Sequence, residues 1–457
     1  MTDAEADKPA DAYALSATVV DAILAAVEAG SQDRLIEVMA PLHEADRADL
    51  MEQIEPGARQ RLIALWGEKF DGAVLSELEE HVRDEVLATL DDDQLASAVQ
   101  ELETDDLVYL VEDMEADQQA QVLDALGRAD RIAVEASLQY QEGTAGRLMS
   151  RELVIVPPHW TVGQAIDHMR AHKDLPETFY KVILADPRMN VVGTVPLGKI
   201  MANRRETALL DLANTTPRLI PVDQSEADVA YAFNQYHMVS APVVDGDGRL
   251  VGVITIDDAM EVLEDEAEED MKRLAGLGDE ELSDSTWATL RARFPWLAVN
   301  LVTAVLASLV IAQFEETIAA IVALAVLMPI VASMGGNAAT QTLTVAVRAL
   351  ATRDLTRSNA MRIIRRETLV GLGNGMAFAV IVGIVGFVWF GSAALGAVIA
   401  VAMVVNLIVA GLSGILIPMA LDRAGADPAL ASGTFVTTVT DVVGFFAFLG
   451  LAGVVLL

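Results

Sequence analysis

"SGTFVTTVTDVVGFFAFLGLAGVVLL", residues 432–457, reads as an apolar helix with one exception, Asp441. The run is long enough to cross a bilayer, which takes ~20 residues, and no lysine or arginine accompanies the aspartate in its own segment. A carboxylate at that depth is costly and belongs in a bundle interior, a cavity or an ion path rather than against lipid. Thr434, Thr437, Thr438 and Asp441 are spaced i, i+3, i+4 and i+7, which puts them on one helix face. A carboxylate with hydroxyls along one face suits a hydrated cation.

Working outward, four more apolar segments precede this one, at about 296–313, 317–347, 367–390 and 392–420. The second contains "MPIVASMGGNAATQT" (328–342), with Pro329, Gly335, Gly336, Asn337, Thr340 and Gln341. Freed backbone groups need partners in a bilayer, so this composition predicts a helix broken at the glycine pair beside a water-filled pathway. Between the second and third segments, "RALATRDLTRSNAMRIIRRE" carries Arg348, Arg353, Arg357, Arg362, Arg365 and Arg366, while the opposite loops hold Glu315 and Glu316 or no charge. The excess of arginine predicts a cytoplasmic loop. Residues 1–290 are then cytoplasmic and the C-terminus lies outside a cell (inner) membrane crossed several times. Asp3, Glu5 and Asp7, with no apolar run beside them, do not read as a signal peptide.

The first 290 residues hold 22 basic and 60 acidic side chains, a net charge of −38. Such a surface repels nucleic acid and anionic lipid and attracts cations. The absence of cysteine excludes disulfides, thiol catalysis and thiolate zinc sites.

Residues 12–142 are helical in pattern and repeat without gaps: Leu42, Leu50, Ile54 and Ile63 recur as Leu78, Val86, Leu90 and Val99, then as Leu102, Leu110, Met114 and Leu123. Glu55, Asp91 and Glu115 follow at matching places, as expected for short stacked helices. From Arg147 the texture turns to β-branched runs alternating with helical stretches, predicting two β-α-β-β-α units at 148–208 and 209–266. Asp245-Gly246 and Asp247-Gly248 supply a hairpin turn. A connecting helix is expected over 267–293, and a membrane domain of five helices over 294–457.

Three further patterns bear on chemistry. "GVITIDD" places Gly252, Thr255 and Asp258 in a Gly-x-x-Thr-x-x-Asp spacing, which in small modules of this kind can hold an adenosine ribose and phosphate. His168 and His172 stand at i, i+4 with no third ligand in sight, a solvated pair rather than a metal site. The acids from Asp257 to Asp270 repel one another strongly enough to invite divalent counter-ions, which take oxygen ligands.

"PIVASMGGNAATQ", "RALATRDL", "DPALASG" with "TDVVG", and "EDEAEEDMKRLAG" after a paired CBS-type module resemble the MgtE magnesium channels in order and spacing, over nearly the whole chain. The resemblance implies a multi-domain fold: a cytoplasmic all-α helical-repeat domain, an α/β tandem CBS pair and a five-helix all-α transmembrane domain. It implies a homodimer with a cation pore on the two-fold axis, lined by the second and fifth membrane helices. Asp441 then falls on the family's pore aspartate, with Gly335, Gly336, Asn337, Gln341, Thr437 and Thr438 lining the path. Regulatory Mg²⁺ falls to Asp258, Glu261, Glu266, Glu269 and Asp270, with Asp105 and Asp106 as partners from the helical repeat. Met238 follows His237 where nucleotide-binding relatives place an aromatic ring, which leaves ATP an open ligand.

The resulting expectation is a passive Mg²⁺ channel closed by cytoplasmic Mg²⁺, not an enzyme. The alternatives are a broader divalent cation transporter (Co²⁺, Mn²⁺) or a membrane-anchored CBS sensor without transport.

Overall fold

The computed structural model describes residues 15–457 apart from 101, 113, 115, 173–174, 177 and 279–285. Asp3, Glu5, Asp7, Glu115 and part of the expected connecting helix therefore lie outside the described residues. The chain divides into two units, Met1–Glu264 and Asp265–Leu457.

The first unit begins with α1 (Ala17–Glu28), α2 (Gln32–Met39), α3 (Glu44–Gln53), α4 (Pro56–Trp66), α5 (Ala73–Ser76), α6 (Glu80–Leu87), α7 (Asp92–Val99), α8 (Thr104–Glu112), α9 (Ala116–Ala125) and α10 (Arg128–Ser137). The repeat is the core: Leu50, Val86 and Leu110 are fully buried, and Ile54, Ile63, Leu78, Leu90 and Val99 are buried beside them. Leu42, Leu102, Met114 and Leu123 pack against the same cluster. Two of the repeated acids, Glu55 and Asp91, mark helix starts. Glu55 stands at the N-cap position of α4, and Asp91 caps α7 in a reciprocal box with Gln94, which satisfies an amide that has no partner within α7.

Next come α11 (Ala145–Leu148), β1 (Ile155–Val156), α12 (Val162–Ala171), β2 (Lys181–Ala185), β3 (Val191–Pro196), α13 (Leu197–Ala202), α14 (Leu209–Leu212), β4 (Ile220–Pro221), α15 (Glu226–Tyr236), β5 (Ser240–Val244), β6 (Leu250–Thr255) and α16 (Ile256–Ala275). Two three-stranded sheets result, ordered β1-β2-β3 and β4-β5-β6. In each, the first pair is parallel and the second antiparallel. The halves interlock, because Ala145 and Met149 enter the core of the second sheet while Leu209 packs in the core of the first.

The second unit holds α17 (Thr286–Ala312), α18 (Glu315–Ala320), α19 (Ala323–Ala351), α20 (Ala360–Phe390), α21 (Ala393–Arg423) and α22 (Pro428–Val455). Five of these helices are long and apolar enough to cross a membrane among the described residues: α17, α19, α20, α21 and α22. The most enclosed is α21, with Ala402, Met403, Leu407 and Ala410 buried on successive turns. Against it lie α19, α20 and α22.

One expectation is corrected here. The helix is not broken at Gly335-Gly336: α19 runs through both glycines and through Pro329, and the chain turns earlier, at Ile321–Val322. Gly335 serves close approach instead of a break, since the side chain of Asn406 occupies the space beside it.

The acid-rich helix α16 stops at Gly276, whose φ of +76° favours glycine. A side chain there would also collide with the Trp296 indole of α17.

Candidate functional site

Two membrane helices carry polar faces. On α22, Asp441 stands mid-helix, half-buried like Thr437 and Thr438, while Thr434 is buried. Each of these threonines that donates does so to its own helix: Thr437 to the Gly433 carbonyl at 3.1 Å and Thr438 to the Thr434 carbonyl at 2.6 Å. With their protons committed, the hydroxyl oxygens present lone pairs outward, the polarity a hydrated cation needs. On α19, Ser333, Asn337, Thr340, Gln341 and Thr344 are all exposed. Thr340 and Thr344 likewise donate to the carbonyls of Gly336 and Thr340.

The two faces adjoin, since a Cβ on Gly336 would sit 3.7 Å from Thr437 Cγ2. Asp441 makes no ion pair or hydrogen bond among the described residues. Adjoining polar faces of this kind on membrane-spanning helices are costly against hydrocarbon.

A second site lies in the first unit, where α8 meets the CBS pair. One oxygen each from Glu103, Asp105 and Glu152 lies within 4.8 Å of the others. Glu152 is held by Thr104 Oγ1 at 2.8 Å and Ser150 Oγ at 2.6 Å, while Asp258 accepts from the Thr255 amide at 2.8 Å and its hydroxyl at 2.7 Å.

Glu103 keeps an exposed edge, yet partial desolvation pushes it up to about 7, with the Glu152, Asp106 and Asp258 carboxylates adding to the rise. Burial, then Asp258, raises Asp106 to about 6. Asp105 is raised well above its usual range by burial and then by Asp258. Crowded, half-enclosed carboxylates of this kind gain from a divalent ion, which takes oxygen ligands and removes their repulsion. The structure places Asp105, Asp106 and Asp258 near one another and adds Glu103 and Glu152 to the group. In sequence, Glu103 is one acid among many, and Glu152 lies 49 residues away with no pattern to connect them.

In the second unit, the part of α16 from Asp265 onward meets the start of α22. Asp427 caps α22 by accepting from the Ala429 amide at 2.7 Å, and it accepts from Arg273 Nη1 at 2.5 Å. Arg273 also pairs with Glu269. Partial burial raises Glu266, opposed by Arg273 and reinforced by Asp427, and burial followed by Asp427 raises Asp270. Three of the expected regulatory acids therefore gather around Asp427, whose only sequence signal is the Asp-Pro start of a helix. Glu261 is exposed on α16.

The nucleotide candidates converge less well. Thr255 is committed to Asp257 and Asp258, and Gly252 backs onto the Ser150 carbonyl. The adjoining cavity, between Val154, Tyr180, Lys181 and Pro242, is ≈ 30 Å³, against several hundred for a typical small-molecule site. His168 and His172 stack on each other at 4.0 Å beside Trp160.

These features define an integral membrane protein with five spans, a soluble helical-repeat domain and a tandem CBS pair. Family profiles agree: "Divalent cation transporter" (MgtE) matches residues 328–451, "MgtE intracellular N domain" 42–143, and "CBS domain" 145–206 and 210–265. The magnesium transporter MgtE of Thermus thermophilus is 34% identical over 443 residues, 92% of this chain and 98% of its own. That of Enterococcus faecalis is 35% identical over 319 residues, 70% of each chain. Among solved structures, the cytosolic domain of the Mg²⁺ channel MgtE in complex with ATP matches at 28% identity and TM-score 0.50, covering 53% of this chain and 99% of that one. The chain belongs to the MgtE family, whose transported ion is Mg²⁺, and its work is transport rather than catalysis.

Proposed function

We propose that two copies of this chain form a passive Mg²⁺ channel, with the α19–α22 seams of the two protomers facing each other across a shared pore. The observation that carries this reading is the uncovered polar seam with Asp441 at mid-membrane. One protomer supplies half a lined pathway, and two-fold closure is the commonest way to complete it. Mg²⁺ sheds water reluctantly, so a pair of Asp441 carboxylates grips a hydrated ion through its waters, aided by Asn337, Gln341, Thr437 and Thr438. The arginine-rich connection after α19 supports a cytoplasmic N-terminal unit and an outward C-terminus in the cell membrane. Mg²⁺ flux into liposomes, with Co²⁺ and Mn²⁺ as competitors, tests both conduction and selectivity; no flux from well-reconstituted dimer would leave a sensor without transport.

Closure follows from charge. At low Mg²⁺ the acids around Glu103, Asp105, Asp106, Glu152 and Asp258, and those around Glu266, Glu269, Asp270 and Asp427, repel within each group. Bound Mg²⁺ bridges them and favours the compact, closed state, limited by its differential affinity for the two states. Glu261 contributes to the same acidic helix. ATP as a second ligand of the CBS pair is supported by the relative crystallised with it and requires Thr255 to release Asp258; calorimetric titration with ATP measures this directly.

A further inference from the structure

Asn406 is the one amide buried completely among the described membrane helices, with no exposed surface in the middle of α21. Its Nδ2 donates to the Val331 carbonyl of α19 at 2.8 Å. Its Oδ1 has no hydrogen-bond partner among the described residues. The amide is wedged between two glycines, one on each of the other helices. A methyl group on Gly335 of α19 would come 2.2 Å from Nδ2, and one on Gly444 of α22 would come 2.8 Å from the same atom and 3.1 Å from Oδ1.

Packing alone gives no reason for a polar group here. A leucine has the same number of side-chain heavy atoms in the same branched arrangement and leaves nothing unsatisfied, whereas a buried acceptor without a partner is destabilising. A half-satisfied amide in hydrocarbon is best accounted for by what it holds in place, since setting register is the best attested use of buried polar groups. Asn406 touches both helices of the polar seam and belongs to neither. Gly444 follows Asp441 by three residues, about 4.5 Å along the axis, so the contact lies within a turn of the carboxylate.

We infer that Asn406 is a positioning residue for permeation: its amide, seated in the Gly335 and Gly444 notches, sets the register of α19 against α22 and hence the placement of Asn337 and Gln341 relative to Asp441. This inference rests on the reading of the seam as the pore. It predicts that the two glycines and the amide act as one device. Enlarging either glycine expels the amide, and replacing the amide frees the helices to slide.

The test uses the full-length protein in liposomes. Because the chain has no cysteine, Gly336→Cys with Thr437→Cys gives a cross-link that reports seam register without background. With Asn406→Leu added, the cross-linked fraction under limiting oxidant is expected to fall about three- to eighteenfold, the range that interhelical hydrogen bonds in membranes span. In channels without the cysteines, Asn406→Leu is expected to change the Mg²⁺:Co²⁺ flux ratio by a similar factor while melting temperature and dimer mass stay at parent values. Gly444→Ala is expected to reproduce both changes. Asn406→Ser, which cannot overfill the site, is read in the same way should the leucine variant not assemble.

Unchanged cross-linking and an unchanged flux ratio overturn the inference, as does a fall in melting temperature with no change in either. A parallel arm with Asp441→Ala separates the two readings. Persisting flux there removes the pore assignment itself, whereas lost flux with an unmoved Asn406→Leu ratio removes only the positioning role.

Discussion

Replacing Asp427 separates two jobs held by one carboxylate. Its Oδ1 caps α22 and its Oδ2 binds Arg273 of α16. Asparagine keeps the cap, being as good an N-cap as aspartate, and loses the ion pair. Alanine loses both. The pair is partly exposed, with 34% and 25% of the two side chains accessible, so it contributes about 0.5–1 kcal/mol rather than the value of a dry pair. The cap contributes about 1 kcal/mol, all of it to α22.

An opposing effect must be weighed. Removing the charge also relieves Glu266 and Asp270, but burial is the larger cause of both their shifts. The direct contact with Arg273 therefore decides the sign, and α16 releases more easily. Asp427→Asn should raise the Mg²⁺ concentration for half-closure about two- to fivefold, since 1.4 kcal/mol is tenfold. Asp427→Ala should shift closure by the same factor and, in addition, lower the stability of the membrane unit by about 1 kcal/mol. Flux into liposomes titrated with Mg²⁺ on the soluble-domain side, alongside thermal melting, reads the two quantities separately. An unchanged half-closing concentration in Asp427→Asn would refute the coupling of α16 to α22 through this pair.

Asp441→Ala should abolish growth rescue of a magnesium-requiring bacterial strain at normal expression and dimer mass; full rescue would remove the pore assignment. Glu103→Gln with Glu152→Gln should weaken closure by Mg²⁺ and leave conduction at low Mg²⁺ intact, because neither acid is among the residues of the seam; a parental closing concentration would make them a solvated face. The pH dependence has a defined sign. Glu103 and Asp106 rise from 4.5 and 3.8 to about 7 and about 6, so the unfolded chain gives up these protons first, and stability of the soluble domains should fall as pH rises from about 4 to about 7 without divalent ions. Saturating Mg²⁺ should flatten that slope, and a soluble unit that melts at the same temperature across the window, with or without Mg²⁺, would contradict the crowding described for α8.

Periodicity made much of this molecule legible. The triple repeat of Leu50, Val86 and Leu110 predicted a buried face before any contact was known, because a short stacked helix must hide the same positions each time. The same logic placed Thr437, Thr438 and Asp441 on one face of α22. Composition does not fix geometry at Gly335-Gly336: the pair suggests a break, yet glycine equally permits close approach, and a neighbour such as Asn406 distinguishes the two uses. The spacing of Glu103 and Glu152 shows a second limit, since the residues that complete an acidic site can come from anywhere in the chain.

By itself, then, the sequence determined what is local or one-dimensional: five apolar spans, a helical repeat, paired β-α-β-β-α units, a strongly acidic soluble part and a lone carboxylate at mid-membrane. These follow from burial and periodicity along a single element, which a linear pattern records. Tertiary structure alone decided that Glu152 joins Glu103 and Asp105, that Asp427 receives Arg273, and that Asn406 sits in the notches of Gly335 and Gly444. Such contacts arise between elements far apart in the chain, where packing in three dimensions sets the distance and no spacing in the sequence encodes it.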